Sequence, residues 1–376
     1  MSDVKLKETV SDIFKIADVQ IDGTRPWDIK VKNDDFYKMV LTTGSLGLGE
    51  SYMSGYWECE QIEELIYRIL HYKLRDNISI NFTTAMQYLK CKIFNEQTKS
   101  KAFEVAEKHY NLGNDLFQNM LDKRMVYSCG YWKNSDNLDD AEEAKLDLIC
   151  RKLYLEPGMK VLDIGCGWGS LAKYAAEKYK VNVVGVTISS EQAKFAKESC
   201  KGLPVEIRLQ DYRDVTEKFD RVVSVGMFEH VGMKNYDEYM QVADNCLKED
   251  GLFLLHTIGV NDEHAAVDTW INKYIFPNGM TPGLTDITAC SNKHFIMEDW
   301  HNFGYYYYQT IMAWYDNFKK NWNKIKEAGN FDDTFYRMWV YYLMCCAGSF
   351  KAKNIQLWQI VFSKAEGTWN YQSIRD

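Results

Sequence analysis

The stretch VLDIGCGWGS, residues 161–170, constrains the fold more than any other part of this chain. A short apolar run carries Asp163, and Gly165, Gly167 and Gly169 then fall at every second position. Residues without a Cβ allow a sharp turn and let a ligand come close to the backbone. Behind the first strand of a parallel sheet, such a turn lies at the topological switch point where ligands bind. A pyrophosphate loop needs its third glycine one place later, as G-x-G-x-x-G, so the spacing argues against a dinucleotide.

The surrounding sequence supplies the sheet. The helical segment AEEAKLDLICRKLYL turns at Pro157-Gly158 into KVLDIG. SLAKYAAEKY, VNVVGVTIS, SEQAKFAKES, VEIRLQD and FDRVVSVGM then alternate helix and strand. NYDEYMQVADNCLK leads through Glu249-Asp250-Gly251 into LFLLHTIG. Apolar β-rich runs separated by helices predict an α/β, doubly wound, largely parallel sheet. After residue 260 the chain reads as aromatic and irregular, with helices near 310–350 and a last strand at QLWQIVFSK.

The amino-terminal part is different in kind. DVKLKETVSDIF opens a helix, GTRPWDIKVKNDDFYKMVL holds strands, and GSLGLGESYMSGYW reads as turn-like. QIEELIYRILHYKLR has helical apolar spacing, with acids at its start and bases at its end. The expected organisation is a small α+β domain over 1–85, a linker over 86–103 and a catalytic domain over 104–376.

The net charge of −8 leaves no broad attraction for nucleic acid. No run reaches the ~18 apolar residues of a membrane span. The ten cysteines show no paired metal-ligand spacing, which fits reduced thiols. A cytoplasmic protein is expected, touching membranes only through local patches.

The glycine turn resembles motif I of S-adenosyl-L-methionine-dependent methyltransferases. On that reading Asp163, Gly165 and Gly167 approach the cofactor, and Thr187 and Gln192 meet the ribose, with Glu191 less well placed. Gln210, Asp211 and Tyr212 follow the third strand and can meet adenine by hydrogen bonding and stacking.

Further segments make the resemblance specific. HYNLGNDLF (109–117), MVYSCGYW (125–132), LQDYRD, VGMFEHVG (225–232), FLLHTIG (253–259) and WINKYIFPNG (270–279) are similar to those of cyclopropane-fatty-acid synthases. MEDWHNFG, MAWY and CCAGSF…IQLWQIVFSK extend the similarity to about residue 363. Asn111, where the family usually has Asp, and the run Tyr305 to Tyr308 depart from the pattern.

The resemblance implies a Rossmann-like class I methyltransferase domain acting on cis double bonds of unsaturated phospholipid acyl chains at a membrane surface. The double bond attacks the sulfonium methyl, and loss of a proton from that methyl closes a cyclopropane ring. It also implies a homodimer. The residues alone name Glu229 as general base, oriented by His256. The resemblance instead implies a bound bicarbonate as base, held by Cys129, Glu229, His256, the backbone at Ile258, and Tyr307. Tyr127 and Ser128 close over the methionine end of the cofactor. Cys346 matches a cysteine that the resemblance puts among the catalytic candidates, though the reaction needs no thiolate and pocket lining is the reading preferred for it. His230 and His264 read as structural. The alternatives are a related methyltransferase acting on another lipid or an amine, and a lipid-binding protein that has kept a cofactor pocket.

Overall fold

The computed structural model describes residues 3–74, 113–261, 265–365, 367 and 369–376. The expected linker at 86–103, Asn111 and His264 lie outside the described residues.

The amino-terminal part contains α1 (Asp3–Ile16), β1 (Lys30–Val31), α2 (Asp35–Thr43), α3 (Ser45–Met53), β2 (Trp57–Glu58) and α4 (Ile62–His71). Helices at α1 and α4 match expectation. Of the expected strand segment only β1 forms, pairing antiparallel with β2, and Asp35–Thr43 is helical. The glycine-rich stretch is also a helix, α3. Its glycines serve close packing rather than turning. A Cβ at Gly47 would meet the Met39 carbonyl oxygen, and one at Gly49 would meet the Trp270 ring.

The remainder builds the central sheet. In chain order come α5 (Asn114–Met120), α6 (Leu138–Lys152), β3 (Lys160–Ile164), α7 (Ser170–Tyr179), β4 (Asn182–Thr187), α8 (Ser190–Ser199) and β5 (Val205–Leu209). Then follow β6 (Phe219–Val225), α9 (Tyr236–Cys246), β7 (Leu247–Gly259), β8 (Ala265–Ala266), α10 (Thr269–Tyr274) and β9 (Met280–Thr281). The chain continues through α11 (Leu284–Ser291), β10 (Phe295–Asn302), α12 (Tyr305–Gly329), α13 (Asp333–Lys351) and β11 (Gln356–Lys364). Seven strands pair in the order β10-β11-β7-β6-β3-β4-β5. β3 to β7 run parallel, while β10 and β11 are antiparallel.

Two details differ from what the sequence pattern predicts. Glu249-Asp250-Gly251 lies within β7, where the pairing with β6 shifts register instead of ending the strand. β10 has no clear sequence signal, because Glu298, Asp299 and His301 break its apolar pattern.

Strand alternation sorts the core. Phe253 and Leu255 of β7 pack with α9, whereas Leu252 and Leu254 pack with α6 and α7. His256 and Ile258 continue the second face. The amino-terminal residues share one apolar cluster with α12 and α13, including Trp57, Trp270, Trp339 and Tyr341. Gly348 of α13 permits that approach, since a Cβ there would lie 2.7 Å from the Glu63 carbonyl oxygen.

Candidate active site

A cavity of about 200 Å³ opens at the carboxyl ends of the parallel strands. β3 brings Asp163 and the turn of Gly165 and Gly167, and β4 brings Thr187. Gln192 comes from the first turn of α8, and Gln210, Asp211 and Tyr212 follow β5. Tyr127 and Ser128 close another side. Every residue expected to touch the cofactor therefore faces one cavity.

The turn has the backbone that its glycines predict. Gly165 and Gly167 have φ of 80° and 54°. No atom lies within 4 Å of a Cβ built on Gly167, so its exposed side is open space. Thr187 Oγ1 donates to Gln192 Oε1 at 3.0 Å, and Ser189 caps α8 by accepting from Gln192 N–H. Asp211 reaches the cavity already paired, receiving Arg213 Nε and Nη2 at 2.8 and 2.7 Å. The Tyr212 ring packs edge-on against Tyr239. Asp163 Oδ2 is buried without a hydrogen-bond partner, and burial pushes this carboxyl up to about 7.

The expected reaction residues Cys129, Glu229, His256, Ile258, Tyr307 and Cys346 do not line this cavity; Glu229 is tied to it through its neighbours. Glu229 sits on a short 3-10 turn, Phe228–His230, whose neighbours Met227 and His230 line the cavity wall. Its Oε1 accepts from Ile258 N–H at 2.7 Å. Its Oε2 is buried without a partner, and burial raises the carboxyl to about 7. His256 is fully buried on β7, and its Nδ1 lies 3.3 Å from Gln359 Nε2. With that amide donating, the ring proton is on Nε2, which has no partner. Burial, and then the charges of Lys145 and Lys152, hold His256 well below the ordinary range, so the ring is neutral.

Tyr307, on the first turn of α12, stacks on Phe350. Burial raises its hydroxyl, and the charge of Glu229 acts on it in the same direction. Burial also keeps Cys129 a thiol and pushes Cys346 up to about 12. Neither is an activated nucleophile. The Ile258 N–H is spent on Glu229, so this backbone group acts on the site by aiming the carboxylate.

Sequence reasoning misses several residues that build the site. Thr310 is fully buried on α12 and accepts from both Gly130 N–H at 3.0 Å and Trp132 Nε1 at 2.9 Å. This fixes the Cys129 segment to the helix carrying Tyr307. Gln359 sets the His256 tautomer. His230, expected to be structural, faces the cavity, and burial lowers it to about 4. Lys145 also faces the cavity. Only the pairing of distant strands and helices identifies these residues.

The arrangement offers a neutral donor at His256, a carboxylate acceptor at Glu229 and a phenol at Tyr307. By donor and acceptor type, that set complements a small anion carrying one hydroxyl, whose O–H can donate to a carboxylate while its oxygens accept from the other two. Among the described residues, no cluster of three or more His, Cys, Asp or Glu side chains is placed to hold a metal.

Residues 97–360 match the family described as mycolic acid cyclopropane synthetase. The chain is 54% identical over 354 residues to the cyclopropane-fatty-acyl-phospholipid synthase of Escherichia coli strain K12, covering 94% of this chain and 92% of that protein. The solved structure of mycolic acid cyclopropane synthase CmaA1 complexed with SAH and CTAB is 32% identical, with a TM-score of 0.64. It spans 69% of this chain and 97% of its own. Coclaurine N-methyltransferase bound to N-methylheliamine and SAH has a TM-score of 0.70 at 22% identity, over 84% of this chain and 99% of its own. That last likeness is one of fold.

Proposed function

The chain belongs to the mycolic acid cyclopropane synthetase family, and from that premise we propose how its residues form a ring on an unsaturated lipid. It is a cyclopropane-fatty-acyl-phospholipid synthase that uses S-adenosylmethionine to transfer a methylene group to unsaturated lipids. When bound, S-adenosylmethionine would supply an electrophilic methyl group for the double bond, and a bicarbonate held by Glu229, His256 and Tyr307 would supply the base for the proton whose loss closes the ring.

The residues position and protect. Asp163 faces the cofactor's ammonium, and the Gly165–Gly167 turn lets the cofactor approach the backbone. Glu229 would hold bicarbonate by accepting from its hydroxyl, and His256 Nε2–H and the Tyr307 hydroxyl would donate to its oxygens. The aromatic walls exclude water, which would otherwise capture a carbocation. The observation carrying this reading is the pair of buried, partnerless atoms, Glu229 Oε2 and His256 Nε2. Two buried polar atoms without partners are costly unless a guest pairs them.

The substrate is reached at a membrane surface, by a homodimer, with residues 1–85 facing the lipid. Val4, Ile16, Leu41 and Tyr72 are exposed on that part, and Leu209, Leu284, Ile296, Met297 and Tyr305 are exposed elsewhere. No described helix is long and apolar enough to cross a membrane.

Product analysis tests the reaction. Incubation with unsaturated phospholipid vesicles and S-adenosylmethionine should give acyl chains heavier by one methylene and lacking the double bond. Methylation at a head-group nitrogen with the double bond retained would instead favour the amine-methyltransferase reading.

A further inference from the structure

Behind the cavity lies a buried ion pair that the mechanism above does not use. Lys145 and Glu142 stand one turn apart on α6, 1% and 0% exposed, with Nζ 3.3 Å from Oε2. A pair at this spacing is ordinary on a helix surface, but burial makes it expensive unless its geometry does something else. Lys145 faces the cavity and Glu142 does not, so the pair presents its positive end to whatever occupies the cavity. Lys145 Nζ also donates to Ser128 Oγ at 2.7 Å. This occupies an acceptor site on the hydroxyl and leaves its proton free, and Ser128 donates to no described residue.

We propose that Lys145 is a positioning residue for the carboxylate of the cofactor's methionine end, fixing Ser128 as a hydroxyl donor and placing a positive charge behind it. The inference rests on the cofactor reading above and assigns a task to a residue outside the reaction set. Lys145 and Ser128 then form the anion-binding half of a zwitterion site, and Asp163, with its buried Oδ2 unpartnered, forms the cation-binding half. Two opposite charges held at fixed places also orient the methionine chain. The charge of Lys145 acts on Asp163 as well, pulling its carboxyl down against burial, so the two halves are coupled.

The test separates the carboxylate from the rest of the ligand. Calorimetric titration compares S-adenosylmethionine with its decarboxylated analogue, which keeps the ammonium and the adenosine. Wild type should prefer S-adenosylmethionine. Lys145→Met, made together with Glu142→Gln so that no buried charge is stranded, should weaken S-adenosylmethionine roughly ten- to 100-fold. It should leave the analogue within about twofold. Ser128→Ala, a change too small to endanger folding, should show the same selective loss. Adding it to the Lys145 variant should cost little more. Equal loss of both ligands in the Ser128 and Lys145 variants would make the lysine merely structural and overturn the inference. Failure of wild type to bind S-adenosylmethionine would overturn the cofactor reading instead.

Discussion

Ile258 gives its backbone N–H to Glu229 Oε1 at 2.7 Å, while the other oxygen of the same carboxylate is buried with no partner. One oxygen is anchored by the strand and the other is held ready. Glu229→Gln keeps an oxygen for Ile258 but turns the free position into an amide donor, which cannot accept the hydroxyl of bicarbonate. Turnover should fall about ten- to 150-fold, the worth of one charge-assisted contact, with cofactor affinity within about twofold of wild type. Steady-state kinetics beside a cofactor titration check the split.

Gly167→Val places a branched side chain into open space on the ligand side of a residue at φ 54°. The strain and the blocked approach should together abolish measurable S-adenosylhomocysteine binding, with the circular dichroism of the sheet retained. Unchanged affinity in a folded variant would move the cofactor elsewhere.

Asp163 predicts a pH dependence. Burial lifts its carboxyl to about 7, so below that pH it is neutral in the free protein. An ammonium favours the ionised form, so binding near pH 6 should release a proton. Affinity should fall by up to about tenfold per pH unit below 7. A raised carboxyl stabilises the ligand-free fold below its unfolded value, and that contribution is lost as pH rises through about 7. Titrations in buffers of different ionisation enthalpy measure the proton. Methylthioadenosine, which has no ammonium, should release none, a control that separates Asp163 from Glu229, which is also raised to about 7.

Thr310→Val removes the acceptor shared by Gly130 N–H and Trp132 Nε1. A buried donor left unpaired costs about 1–3 kcal/mol, so the urea midpoint should drop. Turnover should drop further than stability alone explains, because the Cys129 segment is no longer tied to the helix of Tyr307. A variant as stable and active as wild type would remove Thr310 from the site.

Much of the fold and the site is legible in the amino-acid sequence. The strand-to-glycine turn at 161–170 announces itself through local chemistry, and so do β3, β4 and β6, whose apolar runs are buried on both faces. Glu229 and His256 stand out because each follows closely on an apolar strand core. The α3 helix is not legible in this way. Gly47 and Gly49 look like turn formers in sequence, and only Met39 and Trp270, pressed against them, explain why they lie in a helix. Lys145 is hidden for a related reason. One turn from Glu142 on a charged helix, it reads as a solvated pair until the sheet covers it. Gln359 and Thr310 carry no motif, and their roles exist only once β11 and α12 meet the rest of the site.

On the proposed mechanism Glu229 and His256 hold a proton-accepting ion, and Glu229 is not itself the base. The decisive quantity is turnover on unsaturated phospholipid vesicles in buffer stripped of carbon dioxide and then titrated with bicarbonate. Turnover should be low in stripped buffer, recover to saturation as bicarbonate is added, and recover only weakly in Glu229→Gln. Turnover that is the same at every bicarbonate concentration, and lost in Glu229→Gln, would refute the ion's role and return the proton to Glu229.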